Sequence, residues 1–327
     1  MNVFRLGLKP RLYSGFGVLV LLGLALAGFA AWELSGIRSD VQKSSGINDN
    51  TIRALEVANR IEIFRRANLR FIVDADEQAP KEAAAAESEA IELLKAAAVA
   101  TPTEERRTIY NNLRSGVESM GSQRGTLVTL GKQMQADRAK LFTGGDALTA
   151  AAEKLVAAHG NISDPKVAAL LGPIEAGILL VRVANWRFLA TRDAKGPATF
   201  KTSAEHAATA IAALEKSELP DNVHALIGPV KTALAAYVSS FDALAAGMLK
   251  SDELYWKAMV PQTVDMLAKV GKVEASLKQL SDTTNTETLA TVDTTMLAQE
   301  IIAGLALVFG VRSPSSSDAA SSSRLPA

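Results

Sequence analysis

Two stretches of the sequence, 117 residues apart, share arginine, asparagine and an aromatic residue at the same spacing. Residues 65–72 are RRANLRFI and residues 182–189 are RVANWRFL, so five of the eight positions are identical. After each stretch come a polar turn, an alanine-rich helix and a long helix that begins at Pro102 or Pro220. The repeat therefore predicts two similar helical modules within one chain.

The rest of the sequence favours helices over strands. Hydrophobic residues make up 48% of the chain but aromatic residues only 5%, which is typical of long helices packed through small side chains. The sequence contains no alternating β-branched run bounded by a hairpin turn. Capping and proline signals predict helices near 33–75, 80–100, 102–158, 165–193, 197–217 and 220–298. We expect a break at Gly144-Gly145 and a kink at Pro229 or Pro261.

Together, the helices and the repeat predict an all-α fold of two stacked four-helix bundles that share two long helices, flanked by transmembrane helices. We assign the proximal module to about 33–125 and 255–298, and the distal module to about 126–254. Chance similarity between two alanine- and leucine-rich helices is the alternative. The same order of elements after both motifs favours a true duplication.

An uncharged run of 21 residues, Leu12–Trp32, lies near the start of the sequence. At about 1.5 Å per residue, a helix of this length spans roughly 30 Å, the hydrocarbon thickness of a bilayer. A secretory signal is the alternative, but its apolar core is typically shorter. Basic residues without acids precede the run, which predicts a cytoplasmic N-terminus at residues 1–11. We therefore expect residues 33–298 to lie in the periplasm, anchored in a bacterial inner membrane.

A second apolar run, Ile301–Val311, has only 11 residues before Arg312, too few to cross a bilayer alone. We interpret residues 299–311 as a partial second transmembrane helix. Residues 312–327 are rich in serine, proline and alanine, so we expect a disordered tail. Both a chain truncated within this helix and a separate sensing remnant agree with the sequence.

Helical periodicity predicts which side of each motif faces a core. With Phe64 as reference, 100° per residue places Val57, Ile61, Asn68 and Phe71 on one stripe. The equivalent stripe of the second motif consists of Ile178, Val181, Asn185 and Phe188. An asparagine on a core stripe needs a hydrogen-bond partner, so these two asparagines are candidates for a functional role.

Arginines flank both stripes, at Arg65 and Arg70 in the first motif and at Arg182 and Arg187 in the second. Arg60 also points inward, whereas its counterpart is Gly177, and Arg192 lies near the second stripe. Guanidinium groups at these positions can reach a carboxylate between helices, which predicts an anion site in at least one module. The alternative is that the arginines extend into solvent while each asparagine bonds to another helix.

This organisation resembles the helical bimodular sensor domain of methyl-accepting chemotaxis receptors. The resemblance covers roughly residues 1–311 and rests on the doubled arginine-and-aromatic helix within a membrane-anchored helical region. It implies a chemoreceptor sensory region that binds small organic acids in the periplasm for chemotaxis signal transduction, as a homodimer. Neither the HAMP linker nor the methylated cytoplasmic hairpin of that family is present, so we expect no signalling domain in this chain.

The resemblance also implies ligand-binding residues. Arg65 matches the first arginine of the family's motif, but Asn68 replaces the second, which argues against a dicarboxylate. Arg182 and Asn185 occupy the same positions in the distal module, and Lys257 lies where the last helix of the family adds polar contacts. The candidate ligand-binding residues are Arg65, Asn68, Arg60, Arg182, Asn185, Arg187 and Lys257.

Composition and motifs argue against other function classes. Thirty-five basic residues balance 35 acidic ones, so we expect no nucleic-acid partner. Cysteine is absent and the 3 histidines lack metal-ligand spacing, so we expect no metal. No HExxH, GxSxG or GxGxxG motif occurs, which argues against an enzyme or a cofactor. The charged residues 104–107 (EERR) are expected to form a solvated helix face.

The expected partners are a small carboxylate, the lipid bilayer and a second copy of the chain. Two other functions remain open at this point. The same periplasmic fold occurs as the input region of sensor histidine kinases. A membrane-tethered helical protein without a small-molecule ligand would also show this pattern.

Overall fold

A computed structural model describes residues 8–159 and 165–311, and every regular element among them is helical. The all-α prediction is therefore confirmed. The predicted disordered tail at 312–327 and most of the predicted cytoplasmic segment at 1–11 lie outside the described residues.

Seven α-helices and one π-helical turn make up the described chain. The helices are α1 Leu8–Asp74, α2 Ala79–Ala100, α3 Glu104–His159, α4 Pro165–Thr191, α5 Gly196–Glu215, α6 Asp221–Asp252 and α7 Val260–Val311. The π turn, Glu253–Met259, joins α6 directly to α7. α1 continues from the first apolar run into the motif helix without interruption, and α7 includes the second apolar run.

The expected break at Gly144-Gly145 is wrong, because α3 is continuous through both residues. The glycines instead allow a close approach to Tyr237. A Cβ atom added to Gly145 would lie 3.1 Å from the Tyr237 ring, and one added to Gly144 would lie 3.7 Å from the Tyr237 backbone. Their small size therefore serves helix packing.

The π turn lies immediately before Pro261, one of the two predicted kink positions. In a regular α-helix the proline ring clashes with the carbonyl four residues earlier and the proline donates no hydrogen bond. Here the backbone N–H of Val260 bonds to the carbonyl of Tyr255, five residues back, as in a π-helix. The wider turn accommodates the proline without ending the helix.

The repeat predicted from the two motifs is visible in the positions of the helix ends. α1 ends at Asp74 and α4 at Thr191, and the helices that follow begin at Ala79 and Gly196. The next helices begin at Glu104 and Asp221. Each pair of positions is 117 residues apart. We call residues 57–127, together with the segment 255–266 that contacts them, the first copy. Residues 174–244, together with the segment 141–155 that shares their hydrophobic cluster, are the second copy.

The loops after the two motifs have the same backbone geometry. Ala75 and Arg192, again 117 residues apart, have φ values of 56° and 51°, and both follow the last residue of a helix. In the first loop, the Asp76 carboxylate accepts the N–H of Gln78 at 2.9 Å. In the second loop, Asp193 accepts the N–H of Lys195 at 2.9 Å. This agreement in detail supports duplication over chance similarity.

The buried positions also repeat, with one change of register. Met120 and Tyr237 are both buried at the 117-residue offset, whereas Leu141 corresponds to Met259 at an offset of 118. The pairs Leu148 and Met266, and Leu155 and Val273, continue the new offset. The one-residue shift falls across the π turn, which holds one more residue per turn than an α-helix.

Burial agrees with the predicted stripes. Val57, Ile61, Phe64, Asn68 and Phe71 are all buried in the first copy. Ile178, Val181, Asn185 and Phe188 are buried in the second. Ile178, Val181 and Phe188 belong to a continuous hydrophobic cluster to which α3, α4, α5 and α6 all contribute.

The described chain divides into two compact units. Unit 1 contains the described residues up to Leu55, Ala97–Arg107 and the described residues from Val270 onward. Unit 2 contains Glu56–Ala96 and Thr108–Lys269, and therefore both arginine motifs. The assignment of proximal and distal modules stays a prediction.

Within unit 1, the expected solvated face at residues 104–107 is wrong for two arginines. Arg106 is buried and donates hydrogen bonds to the hydroxyls of Thr101 and Ser276. Arg107 donates to the carbonyls of Ala98 and Thr101 at the C-terminal end of α2. Both arginines therefore donate hydrogen bonds to polar groups at the C-terminal end of α2. Helical periodicity predicts which face of a helix is exposed, but it does not predict contacts of this kind.

Within residues 8–159 and 165–311, three helical segments are long and apolar enough to cross a membrane by length and composition: Phe16–Asp74, Ala169–Thr191 and Asp221–Leu305. In the most apolar 18-residue stretch of Phe16–Asp74, 0% of the residues are buried. The corresponding share is 39% in Ala169–Thr191 and 33% in Asp221–Leu305. Ala169–Thr191 contributes to the hydrophobic cluster of the second copy. The absence of buried residues from the stretch in Phe16–Asp74, among those that the structure describes, therefore singles out the segment that includes the run at residues 12–32.

Candidate functional site

Arg65, in the first copy, is neutralised by a neighbour on its own helix. Its Nε and Nη2 atoms donate to Oε2 of Glu62 at 3.1 and 2.9 Å. The hydrogen bonds and charge of Glu62 raise the pKa of Arg65 above its ordinary value, against the opposing effect of burial. A carboxylate ligand at Arg65 would have to displace Glu62.

Asn68 is buried, and its Nδ2 donates to the carbonyl of Phe64 at 2.8 Å, one turn earlier in α1. The sequence analysis considered a hydrogen bond from each asparagine to another helix. For the Asn68 amide group this prediction is wrong, because the bond stays within α1. The link to another helix comes from Tyr255 in the π turn, whose hydroxyl donates to the carbonyl of Arg65 at 3.2 Å. Burial raises the pKa of Tyr255.

Arg60 lies beside Glu89 on α2, and its Nε atom is 2.7 Å from Oε2 of Glu89. The two side chains form an ion pair, but the orientation of the N–H group does not allow a hydrogen bond. Arg60 also lines a cavity of about 10 Å³ together with Phe64 and Met120. Such a volume is at the lower limit for a single water molecule. The first copy therefore has no room for an organic acid at this position.

Arg182, in the second copy, has a neutral partner. Its Nη1 atom donates to Oγ1 of Thr149 on α3 at 2.7 Å. Within residues 8–159 and 165–311, no carboxylate forms an ion pair with it. The position equivalent to Glu62 is Leu179, 117 residues later, so the acid that neutralises Arg65 is replaced by an apolar side chain. The positive charge of Arg182 is available to a ligand.

Arg182 and Asn185 line one cavity of about 270 Å³. The other lining residues are Leu141, Phe142, Gly145 and Asp146 from α3, Trp186 from α4, and Tyr237 from α6. Asn185 is only 2% exposed, and its Oδ1 atom has no hydrogen-bond partner. A buried oxygen without a partner costs free energy unless something else donates to it.

Tyr237 lines the same cavity, and burial raises the pKa of its phenol. The charge of Arg182 and the amide of Asn185 act in the other direction and favour the phenolate. Because burial is the larger effect, the phenol remains protonated at neutral pH. Arg182, Asn185 and Tyr237 are thus three polar side chains that line one cavity.

The two copies differ in the residues beside the cavity. At the offset of 118, Gly145 corresponds to Thr263, and Tyr237 corresponds to Met120 at the offset of 117. Thr263 is buried and donates to the carbonyl of Met259 at 2.8 Å, with its hydroxyl 3.9 Å from the sulfur of Met120. The second copy therefore has a glycine packed against a tyrosine ring where the first has a threonine beside a methionine.

The remaining predicted residues lie elsewhere. Arg187 is exposed and does not line the cavity. Lys257 is exposed and lies 3.4 Å from Glu253 in the π turn. Arg192 donates to the carbonyl of Ile72 at 2.9 Å and makes an ion pair with Asp252. It therefore connects the ends of α1, α4 and α6.

Sequence reasoning missed Asp146, Tyr237 and Phe142 as parts of the site. Phe142 stacks on Trp186 with ring centroids 5.7 Å apart, forming one wall of the cavity. Gly144-Gly145 was a usable signal, because two adjacent glycines in a helix are expected where another side chain comes close.

No protein-family model matches this chain, and a search of curated proteins finds no match. In the part of the chain that the structure describes, no group of three histidine, aspartate or glutamate side chains could hold a metal ion. The case for function therefore depends on the geometry of the second copy.

Proposed function

We propose that this chain is a membrane-anchored sensory protein that binds a small carboxylate beside its second copy. The observation that carries the proposal is Arg182, a half-buried arginine without an acidic partner that faces a cavity of about 270 Å³. Pockets for drug-sized ligands typically have volumes of about 300–1,000 Å³, so this cavity suits a small metabolite.

A carboxylate in this cavity would accept hydrogen bonds from Arg182 and, through its second oxygen, from Tyr237. Charge-assisted bonds of this kind are roughly twice as strong as bonds between neutral groups. The cavity is open to solvent, since Phe142 and Trp186 are 42% and 53% exposed, so solvent screening weakens these bonds relative to a buried site. The same residues lie on α3, α4 and α6, so the ligand would bridge three helices.

The proposal includes the finer architecture expected from the sequence. Two stacked four-helix bundles agree with the repeated buried positions and with the four helices that contribute to the cluster of the second copy. In this arrangement α3 and the continuous helix α6–π–α7 are shared by both bundles. The resemblance to chemoreceptor sensor domains supports the same organisation.

The membrane assignment is also part of the proposal. The most apolar stretch of Phe16–Asp74 contains no buried residue, which supports a membrane anchor at residues 12–32. We place residues 33–298 in the periplasm of a bacterial cell and expect a homodimer, as in the chemoreceptors that the sequence resembles. Signalling would require a cytoplasmic output domain.

The mechanism we propose is a shift between two helix arrangements. A ligand that bridges α3, α4 and α6 stabilises the arrangement in which the three polar groups converge on it. It shifts the equilibrium only by its difference in affinity for the two arrangements. Because α6 continues through the π turn into α7, a movement at the cavity is passed along one continuous helix toward the second apolar run.

The test is thermal unfolding of the full chain in detergent micelles with a panel of small acids. A ligand at a hundredfold excess over its Kd stabilises the folded state by about 2.7 kcal/mol, which gives a measurable rise in Tm. We expect at least one acid to raise Tm in the unmodified protein and in Lys154→Ala, where an exposed cation of α3 is lost. The rise should be absent in Arg182→Ala.

The absence of a shift with every acid would contradict the proposal. So would an equal shift in the Arg182→Ala protein, provided that its Tm without ligand remains close to that of the unmodified protein. Either result would favour a tethered helical protein without a small-molecule ligand.

A further inference from the structure

The charges around the cavity suggest more than a simple anion. Arg182 and Asp146 both line it, and they are the two formally charged residues among the lining side chains. Neither forms an ion pair with the other or with any other described residue. A monocarboxylate would compensate Arg182 but would leave Asp146 facing a second negative charge. A ligand that carries both signs would satisfy both residues.

Asn185 points to the same requirement. Its Oδ1 atom is a hydrogen-bond acceptor, buried and without a partner. A carboxylate is itself an acceptor and cannot satisfy this oxygen. A ligand with an N–H donor close to its carboxylate can bond to Asn185 while the carboxylate bonds to Arg182, three residues earlier in α4.

The aromatic residues favour a cation as well. Phe142 and Trp186 stack with an interplanar angle of 23° and, with Tyr237, present three rings to the cavity. An ammonium group within about 6 Å of an aromatic face is attracted by the negative face of the ring. Phe142 and Trp186 are partly exposed, so the rings also leave room for an apolar substituent on the ligand.

We infer that the cavity binds an α-amino acid: Arg182 binds the carboxylate, and Asp146 and Asn185 bind the ammonium group. This inference rests on the proposed function and narrows its ligand class. The first copy lacks the combination, because Asp146 corresponds to Val264 at the offset of 118 and Arg65 is already paired with Glu62.

The test is isothermal titration of the full chain with two matched series of acids. The first series is alanine, lactate and propionate, and the second is their phenyl-substituted equivalents: phenylalanine, phenyllactate and phenylpropionate. Within each series only the group beside the carboxylate changes, from ammonium to hydroxyl to hydrogen. In at least one series we expect the amino acid to bind at least about tenfold more tightly than the unsubstituted acid, a difference of about 1.4 kcal/mol.

Variants assign the preference to individual residues. Asp146→Asn should reduce the preference for the amino acid at least about fivefold without weakening the unsubstituted acid. Asp242→Asn, which removes an exposed aspartate of α6 outside the cavity, should leave the preference unchanged. Arg182→Ala should remove binding of every acid that binds the unmodified protein.

The possible failures are distinguishable. If an unsubstituted acid binds as tightly as its amino-acid counterpart, or if Asp146→Asn keeps the full preference, the amino-acid inference is wrong and the carboxylate site stands. If no acid of either series binds, or if Arg182→Ala binds as well as the unmodified protein, both proposals fail.

Discussion

The first and second copies contain the same motif but use its arginine in different ways. In the first copy Arg65 pairs with Glu62, and Thr263 lies beside Met120. In the second copy Leu179 replaces Glu62 and Gly145 replaces Thr263, so Arg182 faces an open cavity. Few substitutions therefore separate a closed structural bundle from a candidate binding site.

The two copies also differ in how their helices approach each other. Arg60 in the first copy corresponds to Gly177 in the second. A Cβ atom at Gly177 would lie 2.9 Å from the Cα atom of Ala207, so α4 and α5 come into backbone contact there. In the first copy, the longer side chain of Arg60 instead reaches Glu89 on α2. In the second copy α4 and α5 are therefore in closer contact, and the polar residues of α4 face α3 and α6.

Among exchanges of residues between the two copies, the largest expected effect comes from giving the second copy the threonine of the first. In Gly145→Thr the added side chain meets the Tyr237 ring, since even a Cβ atom would lie 3.1 Å from it. Overpacking of this kind costs about 1–3 kcal/mol, so we expect ligand affinity to fall roughly thirtyfold in titration calorimetry. Gly125→Thr, at a glycine with open space, should retain full affinity.

A somewhat smaller effect is expected when the acid of the first copy is transferred to the second. Leu179→Glu places a carboxylate one turn before Arg182, where it competes with the ligand as Glu62 does beside Arg65. A hydrogen bond to a charged group contributes about 1.5–3 kcal/mol, part of which the exposed position loses to solvent. We expect an affinity loss of about tenfold, and the charge-free Leu179→Gln variant should lose less.

A loss of stability without a comparable loss of affinity is expected at the contact between α4 and α5. Gly177→Ala forces the two backbones apart and should lower the free energy of unfolding by about 1–3 kcal/mol in urea. Gly125→Ala should raise it by up to about 1 kcal/mol, because alanine favours helix where there is space. Equal stabilities of the two variants would show that the close contact is not maintained in solution.

The smallest effect concerns the loop after the first motif. The N–H of Gln78 lowers the pKa of Asp76 below its usual value of 3.8, and the charge of Arg70 adds to this. A lowered pKa in the folded state contributes stability above the unfolded pKa, and this contribution is lost as pH falls through the folded value. Asp76→Asn should therefore lose less stability between pH 5 and about pH 2 than the unmodified protein, by urea denaturation. An unchanged acid dependence would contradict this assignment.

Much of the fold could be predicted from the sequence because helical signals are local. Proline positions and periodicity placed the boundaries of α2 to α5 and the start of α6 within a few residues, but not the end of α6 at Asp252. The buried stripes follow from 100° per residue, and burial confirms them. The repeated positive φ at Ala75 and Arg192 had no sequence signal, since neither residue is a glycine.

Less of the candidate site could be predicted, because it depends on which helices meet. Arg65 and Arg182 look equivalent in the motif, and only the side chains packed against them distinguish a paired guanidinium from an available one. Asp146 lies 36 residues before Arg182 in the sequence, too far for helical periodicity to connect them. The π turn was not predicted, because Pro261 indicated a kink but not the way the helix would accommodate it.

The central claim is that the second copy binds the ligand and the first does not. The most direct measurement is titration calorimetry of Arg65→Ala and Arg182→Ala with the acid that binds the unmodified protein most tightly. We predict that Arg65→Ala keeps its affinity within about threefold, whereas Arg182→Ala loses at least about a hundredfold, or 2.7 kcal/mol. An equal loss in both variants, or a larger loss in Arg65→Ala, would contradict the account.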